Sequence, residues 1–280
     1  MNRRTAAFGL LTTLALAGCG ASEVAGTVSP TRYEANGTVL EGGGHGPQLC
    51  MMVMESLPPQ CSGLDIAGWD WNKVGHKSQS GVKWGEYRVV GTWDGTRLTL
   101  TEPPGAPRKE AAPAHEEDLT SPCPVPEGGW RPVDPAKATQ RALDEAMARA
   151  GTAEEFAGAW LDQSYMKGLP AESPEANDPR RLVLNLKFTG DLSGREAWIR
   201  EVWGGALCVS GAARSQSELE AIQREVETEL GDRLVSASSS VRGNQVTAQV
   251  WVATDELRRD LEARHGAGAV VLDGVLRPVG

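Results

Sequence analysis

Hydrophobic and polar positions divide the chain into three regions of different period. Ala6 to Ala17 is a twelve-residue apolar run behind Arg3 and Arg4. It is too short for a bilayer span, which needs about 20 residues. From Tyr33 onward the pattern is of short strands: Tyr33 to Leu40, an almost wholly apolar and therefore buried Gln48 to Met54, Ile66 to Trp71, and Trp84 to Trp93 with Tyr87, Val89, Gly91 and Trp93 on one face. Asp94-Gly95 is a two-residue hairpin signal that returns the chain through Arg97 to Thr101. A third region, after a proline-rich stretch, mixes the helical period of 3.6 with strand alternation.

Helix starts in that third region carry caps. Asp134 followed by Pro135 opens a helix lined by Ala138, Ala142, Ala146 and Met147 and stopped by Gly151. Thr152-x-x-Glu155 reads as the capping box of a second helix carrying Phe156, Ala159 and Trp160. Leu182, Leu184, Leu186 and Phe188 alternate with polar or smaller residues, as in a half-buried strand. Ser193-x-x-Glu196 caps a short helix with Trp198, Ile199, Val202 and Trp203, and Leu207 to Gly211 is the next strand. Ser215-x-x-Glu218 caps a longer helix bearing Leu219, Ile222, Val226 and Leu230. A hairpin follows, Leu234 to Val241 and Val246 to Val252 around Gly243-Asn244, then a helix capped at Thr254 or Asp255, then a strand from Ala269 to Leu276.

The expected fold class is α+β: a small N-terminal β-barrel of OB-like type over residues 32–103, a linker over 104–133, and a ferredoxin-like α/β sandwich over 134–280. From Leu182 the element order reads β-α-β-α-β-β-α-β, one sheet covered by helices. Eight prolines from Pro103 to Pro132 make the linker extended and semi-stiff, with Cys123 pinning its end to the next domain.

Leu16-Ala17-Gly18-Cys19, at the end of the apolar run, resembles the lipobox of bacterial lipoproteins. The resemblance covers residues 1–19. It implies that residues 1–18 are a signal peptide, that Cys19 is lipidated, that residues 19–31 are a tether, and that the protein sits on the extracytoplasmic face of the cell membrane. As a whole the chain resembles actinobacterial envelope lipoproteins, which implies no activity. The segment from Gln216, α-β-β-α-β, resembles in element order the BON-type modules of bacterial envelope proteins, which implies contact with phospholipid.

Removing residues 1–18 leaves 262 residues, with 26 Lys and Arg against 37 Asp and Glu and a net charge of −11. That balance argues against nucleic acid as a partner, since such binding needs clustered basic residues. The cysteines are 19, 50, 61, 123 and 208. With Cys19 assigned to lipid, four remain for disulfides in an oxidising compartment. Three pairings are possible; Cys50–Cys61 and Cys123–Cys208 are favoured. No spacing matches a zinc site, and no metal or other cofactor is expected.

Catalytic signals are sparse. His45 lies in a glycine loop, His115 in the linker and His265 at a helix C-terminus, where the dipole favours a cation. Asp65 and Asp70, beside Trp69 and Trp71, are the one carboxylate pair that could serve glycoside hydrolysis. Trp69, Trp71, Trp84 and Trp93 read first as core and second as a stacking face for sugars or single strands. The expectation is therefore a non-catalytic surface protein that binds an envelope protein or a cell-wall ligand, with Trp251 and Trp84 as candidate binding-surface residues. A wall-directed hydrolase and a phospholipid-binding module are the alternatives.

Overall fold

Strand alternation in the first region closes a barrel. The computed structural model describes residues 30–108, 118–170, 173 and 175–279. The expected signal peptide, Cys19, most of the expected tether and His115 lie outside the described residues. Strands β1 (Arg32–Gly42), β2 (His45–Cys50), β3 (Leu64–Ala67), β4 (Lys77–Gln79), β5 (Val82–Trp93) and β6 (Arg97–Leu100) form one sheet. Five of them close on themselves in the order β1-β2-β3-β6-β5, because β1 pairs with β2 on one side and with β5 on the other. All these contacts are antiparallel except β3 with β6. Ala35, Val39, Leu49, Leu64, Ile66, Tyr87, Val89 and Leu98 point inward.

Two expected strands are shorter than their sequences suggest. The second ends at Cys50, and Met51 to Met54 are exposed rather than buried. The Cys50–Cys61 disulfide turns the chain out of the wall at that point. The third ends at Ala67. Asp70 then caps a 3-10 turn, Trp71–Lys73, by accepting from the Asn72 N–H, and that bond holds its carboxyl below the usual range. Trp71 is buried, its indole donating to Glu41, and Trp69 stacks edge-on against Trp71 and Tyr87. Trp71 belongs to the barrel core, and Trp69, half-buried, packs against it. The barrel-side chain also runs past residue 103: Gly105 exchanges backbone hydrogen bonds with Arg88, and the Arg108 N–H donates to Asn36.

The third region contains two sheets where a single one was expected. Helix α1 (Gln140–Ala150), strands β7 (Phe156–Asp162) and β8 (Val183–Phe188), helix α2 (Arg195–Arg200) and strand β9 (Ala206–Gly211) make the first module. Helix α3 (Gln216–Leu230), strands β10 (Leu234–Ser240) and β11 (Gln245–Val250), helix α4 (Asp255–His265) and strand β12 (Val270–Gly274) make the second. Each has the order α-β-β-α-β, an antiparallel pair and then a parallel pair. The repeat is hidden because residues 156–162, expected as helix, are strand β7. Gly158 decides this: its φ of +127° is not helical, the register with β8 shifts beside it, and a Cβ there would lie 2.4 Å from Val241.

Cap chemistry is obeyed unevenly. The Ser215–Glu218 capping box forms in full, and Thr254 accepts from the Leu257 N–H. Ser193 does not cap α2, whose first turn starts from Gly194 with φ +76°. Asp134 caps only a 3-10 turn, Pro135–Lys137, and Thr139 caps α1.

The C-terminus ties the second module to the barrel. After β12, strand β13 (Arg277–Pro278) pairs with Tyr33 and Glu34 of β1, and Val275 and Leu276 join the barrel core. The first module is locked differently. Cys123 bonds to Cys208 of β9 with an S–S distance of 1.98 Å, and Cys123 and Trp130 cover the sheet face formed by Val183, Ala206 and Cys208. Both disulfides are those favoured by the spacing.

Asp162 anchors the same strap. Only 4 % exposed, it accepts from the Ser121 N–H at 2.7 Å and hydroxyl at 2.9 Å, and from the Ser164 N–H at 2.9 Å. Burial works against the charged form, but the bonds from Ser164 and Ser121 outweigh it and hold the carboxyl below its ordinary value. A depressed folded pKa contributes stability above the unfolded pKa, and that contribution is lost as pH falls through the folded one. Asp162→Ala should therefore cost about 2 kcal/mol at neutral pH by leaving buried donors unpaired. The gap from wild type should narrow below about pH 4 in urea melts run across pH.

Candidate functional site

A cleft of about 540 Å³ opens where the barrel wall meets the second module. Its barrel side is built from Gln48 of β2, Leu64 and Asp65 of β3, and the hairpin between β5 and β6, which presents Trp93 and Thr96. Its module side is the turn from α3 into β10, Gly231 to Val235, with Trp251 just beyond β11. Met51 and Met52 stand at its edge.

Each wall is fixed by local chemistry. Asp94 accepts from the Thr96 and Arg97 N–H groups at 2.8 Å and from the Thr96 hydroxyl at 3.0 Å, so the hairpin tip is a closed Asx turn. The Thr96 N–H, and then that of Arg97, keep the Asp94 carboxyl below the usual range. Gln48 bridges the floor, donating to Asp65 at 2.9 Å while its carbonyl accepts from the Gly63 N–H at 3.3 Å. On the far wall Gly231, at φ +48°, closes α3, and the Trp251 N–H donates to the Arg233 carbonyl. Trp93 and Trp251 both rest, half-buried, on the barrel core.

The lining is thus amphipathic. Two indoles, Leu64, Val235 and the methionines give apolar area. Asp65, Asp232, Arg233 and Thr96 give both signs of charge and hydrogen-bonding groups. Such a site suits recognition, where a few polar groups orient a ligand over an apolar floor.

Of the residues the sequence singled out, Trp251 and Trp84 part company. Trp251 was expected to face outward. It packs inward against the barrel and lines the cleft, because β13 draws the second module onto the barrel. Trp84 is half-buried on β5, opposite Leu40 and Lys77 and on the strand face of Glu86 and Arg88, outside the cleft. Met51 and Met52 were missed as site residues, and Trp93 was read first as core and only second as a stacking face. The Asp94-Gly95 signal next to Trp93 and the run of methionines between two cysteines were the available cues.

Among the described residues no pair of candidate catalytic groups converges. Asp65 is bonded to Gln48, and Asp70 caps its turn and pairs with Lys73 at 3.4 Å. His45 and His76 turn their Nδ1 atoms to nearby backbone carbonyls. The buried His265 ring lies 3.6 Å from Glu225, on the surface between α3 and α4. Among the described residues no group of three His, Cys, Asp or Glu side chains is placed to hold a metal ion, and no helix is long and apolar enough to cross a membrane.

The chain matches no protein-family model and no curated protein. The reading of function therefore rests on the residues above.

Proposed function

We propose that this is a lipid-anchored cell-surface protein whose barrel and paired modules form a non-catalytic binding body. The observation that carries the reading is the state of the cysteines. Cys50, Cys61, Cys123 and Cys208 are joined in two disulfides. The fifth, Cys19, stands at the end of the sequence that resembles a lipobox. Stable disulfides belong to an oxidising compartment, and a lipidated N-terminal cysteine belongs to its membrane face.

The barrel is read as OB-like. Its closed order β1-β2-β3-β6-β5, with β3 parallel to β6, supports that assignment. In barrels of this type the wall made by strands 2 and 3 and the adjoining hairpin loop meet the ligand, and the cleft lies against the same wall here. The two modules share the element order of BON-type units, which favours that reading over a single ferredoxin-like sheet. The ligand is assigned to the envelope, a protein or wall component reached from the membrane face, with no nucleic acid and no cofactor.

Cys19→Ser tests the anchor. The wild-type protein should enter the detergent-rich phase on phase separation of whole-cell extracts, and the variant should lose fatty acylation. A wild-type protein that carries no labelled palmitate would overturn the reading.

A further inference from the structure

The loop closed by the Cys50–Cys61 disulfide breaks the burial rule more sharply than any other described segment. Met51, Met52, Val53, Met54 and Leu57 are all exposed, Met52 at 68 % and Leu57 at 73 %. They are five of the ten large apolar side chains exposed among the described residues, within seven consecutive positions. An apolar patch of this density marks a contact surface.

The loop is held in shape. The Cys50–Cys61 bridge fixes its base. The Met54 N–H donates to the Gln60 carbonyl at 2.9 Å, the Ser56 N–H to the Met54 carbonyl at 2.8 Å, and the Ser56 hydroxyl to the Pro58 carbonyl at 2.8 Å. Several backbone groups at the tip are therefore satisfied within the loop, which lowers the cost of bringing its backbone against an apolar medium. Glu55 is its only charged residue. A contact made by this loop is apolar, with no basic side chain to seek anionic partners.

We propose that the Cys50–Cys61 loop docks on a lipid bilayer, with Met52, Val53, Met54 and Leu57 entering the outer hydrocarbon. The chain length before the barrel favours a bilayer over other occupants. Thirteen residue steps separate Cys19 from Arg32, a span of at most about 45 Å. Thr38, opposite Cys50, lies six residues along β1, about 20 Å further. A membrane that holds Cys19 is thus within covalent reach of the loop. In this respect the proposal deepens the anchored reading, but the affinity of the loop does not need the anchor.

The test uses residues Thr31–Gly280, which pack as one compact unit containing every described element and both disulfides. Because Cys19 is absent from that unit, a failure of lipidation and a failure of the loop are separate results. Flotation is measured with phosphatidylcholine vesicles and with vesicles of phosphatidylethanolamine and phosphatidylglycerol. The wild-type unit should float with both, and high salt should not release it. The double variant Met52→Asp, Leu57→Asp should partition roughly a hundredfold less, at about tenfold for each large side chain withdrawn. Vesicles should also slow peroxide oxidation of Met52 and Met54 in the wild-type unit several-fold while leaving Met166 unchanged, a readout that needs no variant. Wild-type protein that does not float, a variant that floats equally, or unprotected methionines would overturn the proposal. So would binding confined to anionic vesicles and lost in salt, or a vesicle-free dimer that the same substitutions dissolve.

Discussion

Cys208→Ser should lower the free energy of unfolding by about 4.5 kcal/mol, because the bridge it removes closes a long loop in the unfolded chain. The two cysteines are 85 residues apart. Without the bond, the chain-entropy model returns that loop's freedom to the unfolded ensemble. The native state suffers as well. Cys208 is 1 % exposed beneath Cys123 and Trp130, so serine leaves a hydroxyl in an apolar layer. Cys123→Ser should cost about the same, since it breaks the same bond. Cys61→Ser, whose bridge spans 11 residues, should cost about 3 kcal/mol. Urea unfolding under non-reducing conditions checks the order, and a larger loss for Cys61→Ser than for Cys208→Ser would refute it.

Trp203→Ala should cost about 4 kcal/mol, within the range for deleting a buried aromatic ring. Trp203 has no exposed surface and sits in the first module's core with Phe188, Ile199 and Leu207. Its indole N–H donates to the Ala206 carbonyl at 3.0 Å. Truncation leaves a ring-sized cavity and an acceptor without its donor. Gly205→Ala probes the same packing from the other side. A Cβ at Gly205 would lie 2.0 Å from Cζ2 of Trp203, so the ring would have to leave its place. Both variants should lower the thermal midpoint and weaken the near-ultraviolet tryptophan dichroism. An unchanged midpoint for Gly205→Ala would show that the ring has room to move.

The barrel was legible because its cues are local. Alternation along Trp84 to Trp93 and the Asp94-Gly95 turn lie within a few residues of one another, and both appear where expected. The Ser215 capping box is equally local. What failed depended on distant partners. Thr152 and Glu155 have the spacing of a capping box, yet the edge of β8 recruits residues 156–162 as a strand, and Gly158 bends to fit. With β7 misread as a helix, the repeated α-β-β-α-β order could not be seen.

The site was legible in part for the same reason. Trp251 falls out of phase with Val250 and Val252 along the chain, but alternation cannot say what lies opposite. The answer comes from β13, two residues at the far end of the chain that pair with β1. The methionine run was misread because an apolar segment is normally a buried one. Its exposure follows from the disulfide that throws it out of the wall.

Acylation of the sulfur at position 19, as proposed, would fix compartment, redox state and partner class together. Intact mass of the protein extracted from membranes of its producing cells, with and without reductant, tests that claim most directly. The account predicts a chain that begins at Cys19, carries a diacylglyceryl group, and gains the mass of two hydrogens per bridge on reduction. A chain that retains Met1, or a mature form without fatty acid recovered from buffer, would contradict it.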